Sequence, residues 1–239
     1  MNQNIEKDIN LSEYNDYELN NLIYKKALEF DKRSYFQYYI SLLKRKQLII
    51  FTFYTSDDYN SKIIKMSLFL FSFSLYYTIN ALFFDDSTMH KIYEDEGSYN
   101  FIYQIPHILY STIISSVITI LIKYLSLSEK NILEIKNEKE NLIQKACKIK
   151  KCITIKITFF FILNFLFLIF FWYYLGCFCA VYKNTQIHLI EDTLISFIIS
   201  LLYPLGLNLL PGIFRISSLN AKNKDKILMY NFSRILQII

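Results

Sequence analysis

The sequence predicts an all-α membrane protein: four transmembrane helices, an N-terminal interfacial amphipathic helix, and a cytosolic helical extension between spans two and three. Three observations carry that expectation. Four apolar stretches are each long enough to cross a hydrocarbon core of about 30 Å, which takes roughly 20 helical residues. Charged segments separate them, and the Lys and Arg residues are shared very unevenly among those segments. The chain is 239 residues long, 53% hydrophobic, with 21 Phe and 20 Tyr but only 4 Gly, so its apolar surface is largely aromatic.

Residues 1–62 form the first region, a cytosolic polar lead to about Asn15 followed by a segment from Asp16 to Tyr54 that reads mostly as helix. Leu19, Leu22, Ile23, Ala27 and Phe30 recur at helical spacing. The aromatic run Tyr35–Leu43 stands beside Lys44, Arg45 and Lys46, which suits a helix lying on a membrane surface with rings at headgroup depth and charges in water. Gln47–Tyr54 is too short to span; it either extends that helix or forms a short extended segment, and TSDDYNSK reads as a turn.

Spans follow at about 63–84, 101–125, 153–182 and 193–214. A Leu, Ile, Phe or Val at a helix centre favours insertion by roughly 0.3 to 0.6 kcal/mol, so a dozen of them outweigh the scattered Asn, Ser and Thr. The loop after the first span, DDSTMHKIYEDEG, carries five acidic residues and one Lys and reads as a solvated acidic loop. The central segment SLSEKNILEIKNEKENLIQKACKIKK is rich in helix formers, and Glu134, Glu138, Lys139 and Lys145 suggest a solvated helix continuing from span two and returning into span three. Residues 215–239 complete the chain as a basic cytosolic tail.

The basic residues orient the helices. Residues 1–65 hold ten Lys or Arg, Lys123 to Lys156 nine, and the tail five, whereas the two other loops hold only Lys91 and Lys183. The positive-inside rule therefore places both termini and the central loop in the cytosol of an integral membrane protein. The net charge of +5 lies beside membrane, so nucleic acid is not an expected partner. Lys44, Arg45, Lys46, Lys148, Lys150 and Lys151 are candidates for headgroup contact, each contributing on the order of 1 kcal/mol near anionic lipid, although setting topology alone would also explain them. Both N-glycosylation sequons, at Asn10 and Asn231, are expected to remain unmodified on the cytosolic side.

Site chemistry is sparse. Cys147 and Cys152 lie in a basic juxtamembrane segment suited to reversible palmitoylation, beside the plainer reading of idle thiols. Cys177 and Cys179 form a C-x-C with His188 as the nearest further ligand, a weak basis for zinc. Asn80, Gln104, His107, Asn164 and Asn208 are the polar residues expected to face the bundle interior, and no Asp, Glu, Lys or Arg falls at mid-membrane depth within the assigned spans. Asn80 and Asn164 are packing candidates. Pro204 and Pro211 are kink candidates, with the bend expected near Pro204. No glycine-rich phosphate loop or catalytic triad pattern is present. Neither a catalytic activity nor a cofactor nor a metal is expected.

Several short motifs then fall in a recognisable order. A basic presegment ends in LLKRKQLIIFTFY, a D-x-N turn leads to a span ending NALFF before Asp85 and Asp86, and span two exits through LSLSEKN. Span three ends WYYLGCFCAVY and span four carries SFIISLLYPLGLNLL. This order, from about Leu42 to Ser218, resembles the transmembrane region that precedes the channel unit in the polycystin-1-like branch of the polycystin family. On that resemblance Asn80, Phe84, Gly176, Tyr182 and Pro204 hold matching positions. No lipid-facing PLAT domain and no pore unit accompanies them, so the resemblance implies the accessory four-helix bundle alone, as a truncated relative or the terminal part of a longer product, without the family's cation conduction.

The expected role is a noncatalytic integral membrane scaffold or accessory subunit, packing against other membrane proteins or its own copies in contact with membrane lipids, with a homo-oligomer among the outcomes. Two alternatives stand beside it, a small oligomeric channel or transporter, and a structural subunit of a large organellar membrane complex.

Overall fold

The structure is a computed structural model and describes residues 14–54, 58–136, 142–220 and 226–237. Those residues are all-helical, with no strands among them, and four helices are long and apolar enough to cross a membrane. The chain forms two compact units: one takes residues up to Tyr59 together with Leu202 onward, the other Asn60–Leu201.

In the first unit the expected helix over 16–54 is divided into four: α1 (Asp16–Asn21), α2 (Tyr24–Phe30), α3 (Tyr35–Lys46) and α4 (Leu48–Phe53). Local side chains set the breaks. Asn15 and Glu18 form a reciprocal capping box on α1, and Ser34 and Gln37 form another on α3. The Asp31 carboxylate accepts from the Arg33 backbone and guanidinium, which holds the link between α2 and α3 out of helix. Gln47 ends α3 in an extended conformation, and its side chain accepts from the Ile50 N–H at 2.6 Å, starting α4 in the segment whose conformation the sequence left open.

The second unit is built on α5 (Lys62–Leu82), α7 (Phe101–Ser126) and α9 (Leu142–Val181), which pack pairwise. Phe71 of α5 meets Phe167 and Phe171 of α9 at 6.1 and 5.7 Å. The helix α10 (Gln186–Leu207) joins through Phe197, whose ring stands edge-on to Phe69, Phe73 and Tyr76. Near one end, Ala81, Phe84, Ile92, Leu175, Phe178 and Leu189 close a cluster drawn from several helices.

Two segments differ from the sequence expectation. The acidic loop holds a helix, α6 (Asp86–Glu94), because Asp85 caps it: its Oδ1 accepts from the Thr88 N–H and the Ser87 hydroxyl at 2.8 Å. Those bonds, the backbone one first, bring the Asp85 carboxyl down to about 2. α6 ends on Glu96 and Gly97, both in left-handed backbone, with the Gly97 N–H returning to the Ile92 carbonyl at 2.9 Å. Span two does not run on into the central segment. Leu127 is extended, and a separate α8 (Glu129–Lys136) follows. Asn60 holds this exit, donating to Glu129 at 2.6 Å and accepting from the Ser128 N–H at 3.3 Å, so the D-x-N turn and the Ser-rich exit meet. The helix that carries span three, α9, begins at Leu142, so the part of the central segment expected to return into that span is continuous with it, with no Gly or Pro among the intervening helix formers. Glu138, Lys139, Asn10 and the first three residues of the TSDDYNSK turn lie outside the described residues.

Span four begins at Gln186 and is broken at Asn208, after which α11 (Leu209–Asn220) and α12 (Ile227–Leu236) complete the first unit. Pro204 sits inside α10 without ending it. The break falls where Pro211, in the first turn of α11, can neither donate to the Leu207 carbonyl nor tolerate it nearby. Aromatic residues of α3 take the freed backbone: Tyr39 donates to the Leu205 carbonyl at 3.0 Å and Tyr35 to that of Leu209 at 3.2 Å. Gly212 allows this close approach: a Cβ there would lie 2.7 Å from the Tyr35 ring, which would have to shift. The rings expected at headgroup depth are thus turned onto the protein, with Tyr38 and Leu42 fully buried and Phe36 left outward.

Candidate functional site: sealed polar networks

The first unit encloses a charged centre that the sequence did not signal. Asp31 and Arg215 have fully buried side chains and pair at 2.8 Å. Arg215 donates through Nε and Nη2 to one Asp31 oxygen, and through Nη1 and Nη2 to the Asn20 and Leu19 carbonyls. Arg33 supplies a second guanidinium to Asp31 and reaches Asn20, Asp16 and Ser41. The Arg215 guanidinium lies between the Tyr38 and Tyr230 rings, 5.0 and 4.8 Å from their centroids. Burial pushes the Asp31 carboxyl up, but the two guanidinium groups outweigh it and hold it below its ordinary value. Burial pushes the Tyr38 phenol up to about 12, so it stays neutral against the cation. Every charge in this centre is matched by an opposite charge or a hydrogen bond, which holds the helices of this unit together.

The second unit is fastened by uncharged groups. Asn80 Oδ1 accepts from Ser111 at 2.8 Å and Ser196 at 3.2 Å, the two hydroxyls lie 3.0 Å apart, and Asn80 Nδ2 donates to the Tyr76 carbonyl. One amide therefore ties α5, α7 and α10, the interior placement expected of it. Tyr76 with Ser116 and Ser72 with Thr119 add further links between α5 and α7. Asn80→Ala is expected to lower stability by about 1 kcal/mol, the scale of interhelical hydrogen bonds in membranes. Asn164→Leu is expected to leave stability unchanged or raised, because the buried Asn164 Oδ1 has no hydrogen-bond partner. Melting of both variants in detergent would check this, and equal losses would remove Asn80 as the hub.

A third cluster lies at the start of α10. Tyr99 donates to Asp192 Oδ1 at 2.5 Å and stacks on His188 at 5.7 Å, while His188 Nδ1 stands 3.7 Å from Glu191. Glu191 and Asp192 lie inside this helix, not in a loop before it, so the helix that carries span four starts ahead of the apolar run at 193. Among the described residues, no group of three or more His, Cys, Asp or Glu side chains could hold a metal ion.

The other candidate residues are scattered. Lys44 pairs with Asp16 at 3.8 Å and covers the Tyr54 ring, Arg45 lies over the Tyr17 ring, and burial lowers the Lys46 ammonium to about 8. Lys148, Lys150 and Lys151 are exposed along α9, as are Cys147 and Cys152. Pro204, Pro211 and Asn208 are buried, and neither atom of the Asn208 amide has a hydrogen-bond partner. Phe84 packs in the cluster with Leu189, whereas a Cβ on Gly176 would meet nothing within 4 Å. No protein-family model, curated protein or solved structure matches the chain.

Proposed function

We propose that this protein is a noncatalytic multi-pass membrane scaffold or accessory subunit that packs against other membrane proteins or its own copies. The observation that carries this reading is the disposition of α9. In its most apolar window only 11% of the residues are buried in the protein, against 50% for α5. Phe159, Phe165, Leu166, Phe170, Trp172 and Tyr173 all face outward from it, a long aromatic surface suited to packing against another helix. Polar groups are spent on internal links, and the unpartnered Asn164 Oδ1 and Asn208 amide are enclosed, where a conduction path would need a continuous polar strip. The motif order resembling the accessory helices of polycystins supports the same role, with both termini cytosolic.

The test is purification of the tagged protein from its native membrane in mild detergent, followed by mass spectrometry. Stoichiometric recovery of another membrane protein, or of a defined oligomer of this chain, is the expected result. A lone monomer would overturn the scaffold reading, and ion flux in liposomes containing only this protein would replace it with the channel reading.

A further inference from the structure

Helix α12 has its polarity reversed relative to a helix in water. Its inward face is polar: Tyr230 donates to the Leu22 carbonyl at 2.8 Å, Ser233 to the Tyr230 carbonyl at 2.7 Å, and Gln237 accepts from Tyr38 at 3.4 Å. Tyr230 and Ser233 are fully buried, with the Tyr230 ring against the Arg215 guanidinium. Its outward face is apolar, with Leu228 83% exposed, Ile235 57%, Phe232 46% and Ile227 46%. At about 100° per residue these four lie on one side, with Asn231 the one polar residue among them. A helix bordering water would place these faces the other way round.

The neighbouring helix shows what covers such a face. α11 is the end of the candidate membrane span Lys183–Asn220. It too turns Leu209, Leu210 and Ile213 outward, and Gly212, Arg215 and Ser218 inward. Phe214 of α11 meets Phe232 of α12 edge-on at 5.1 Å, so the two outward faces are continuous within this unit. The residues from Arg215 onward include Lys222, Lys224, Lys226 and Arg234 against the single acid Asp225, a charge complementary to anionic headgroups.

We propose that α12 is an in-plane membrane helix whose Ile227, Leu228, Phe232 and Ile235 face sits at the acyl–headgroup boundary of an anionic leaflet, where span four leaves it. The segment is then part of the membrane-embedded body rather than a free basic tail. Lys226 and Arg234 then remain at headgroup level while the aliphatic side chains enter the acyl region. This assignment concerns lipid contact alone and holds whichever protein partner α9 takes.

The single tryptophan of the chain makes the test direct. In a Trp172→Phe background, Leu228→Trp and Ile235→Trp would be prepared as full-length protein and reconstituted in phosphatidylcholine vesicles with a minority of phosphatidylserine. Both positions are exposed, so the larger ring needs no repacking. Elution as a single species in detergent confirms that the variants fold. Each would be quenched in turn by brominated phosphatidylcholine and by aqueous iodide, with the unsubstituted protein, whose Trp172 faces outward on α9, as the reference. The expected result is quenching by brominated lipid at both positions, several-fold stronger than by iodide. Lipid quenching of Trp172 with iodide quenching at 228 and 235 would overturn the proposal and leave the spanning helices intact. Insensitivity of 228 and 235 to both quenchers would also overturn it, placing a protein surface on the face. Absence of lipid quenching at Trp172 would overturn the membrane reading itself.

Discussion

Asp31→Ala is expected to be the most destabilising single substitution in the first unit, by about 3–5 kcal/mol, the cost of leaving a buried charge without its partner. Two guanidinium groups converge on Asp31, and the Arg215 side chain is completely shielded from solvent. Removing the carboxylate leaves Arg215 with the Leu19 and Asn20 carbonyls and two aromatic rings but no counter-charge. Arg215→Met is expected to cost less, because Asp31 keeps Arg33 at 2.8 Å. The inequality is the test: thermal unfolding of the intact protein in detergent should give a lower midpoint for the aspartate variant, and the reverse order would sink the assignment of Asp31 as the hub. Acidity provides a second readout. The folded carboxyl titrates below its ordinary value of 3.8, so its stabilisation is complete above that value and is lost as pH falls through the lower, folded one. Asp31→Asn cannot ionise, so the gap between it and the unsubstituted protein should be constant near neutrality and close below about pH 4.

Leu189→Ala is expected to cost about 2–5 kcal/mol in the second unit. Leu189 is fully buried among Ala81, Phe84, Ile92, Leu175 and Phe178. Those neighbours come from α5, α6 and α9 and from the turn after α5, each anchored elsewhere, so they are poorly placed to collapse into the space of the lost side chain. Leu194→Ala on the same helix removes the same atoms from an exposed position and serves as the comparison, with little effect expected. The measurement is the unfolding midpoint together with protease cleavage within 85–97, which should appear in the first variant alone because Ile92 packs against the altered site. Equal behaviour of the two leucine variants would show that this cluster does not hold the helix ends together.

The parts of the protein legible in its sequence are those fixed by local periodicity and length. The four long apolar helices and the interior position of Asn80 are of this kind, because bilayer length and the cost of turning a polar side chain to lipid act within one segment. The helix over 86–94 was legible in principle from Asp85 followed by Thr88, but the density of charge favoured a loop. The position of the break in span four was less so, since two prolines seven residues apart compete and only Pro211 coincides with the loss of helix.

Tertiary structure alone decided which charges meet. Asp31 and Arg215 are 184 positions apart, and each on its own looks like a solvated residue at a helix end. Arg215 follows the last apolar run and reads as the first residue of a basic tail, yet the fold seals it between two tyrosines. The aromatic run of α3 reads in isolation as a membrane-surface helix, and only the fold showed that its Tyr35 and Tyr39 bind the broken backbone of span four. The sequence by itself determined the class of protein, because insertion and helix formation sum over neighbouring residues. Only the fold determined the partners of its buried polar groups, because the energy of a buried charge depends on what surrounds it in space and leaves no periodic trace along the chain.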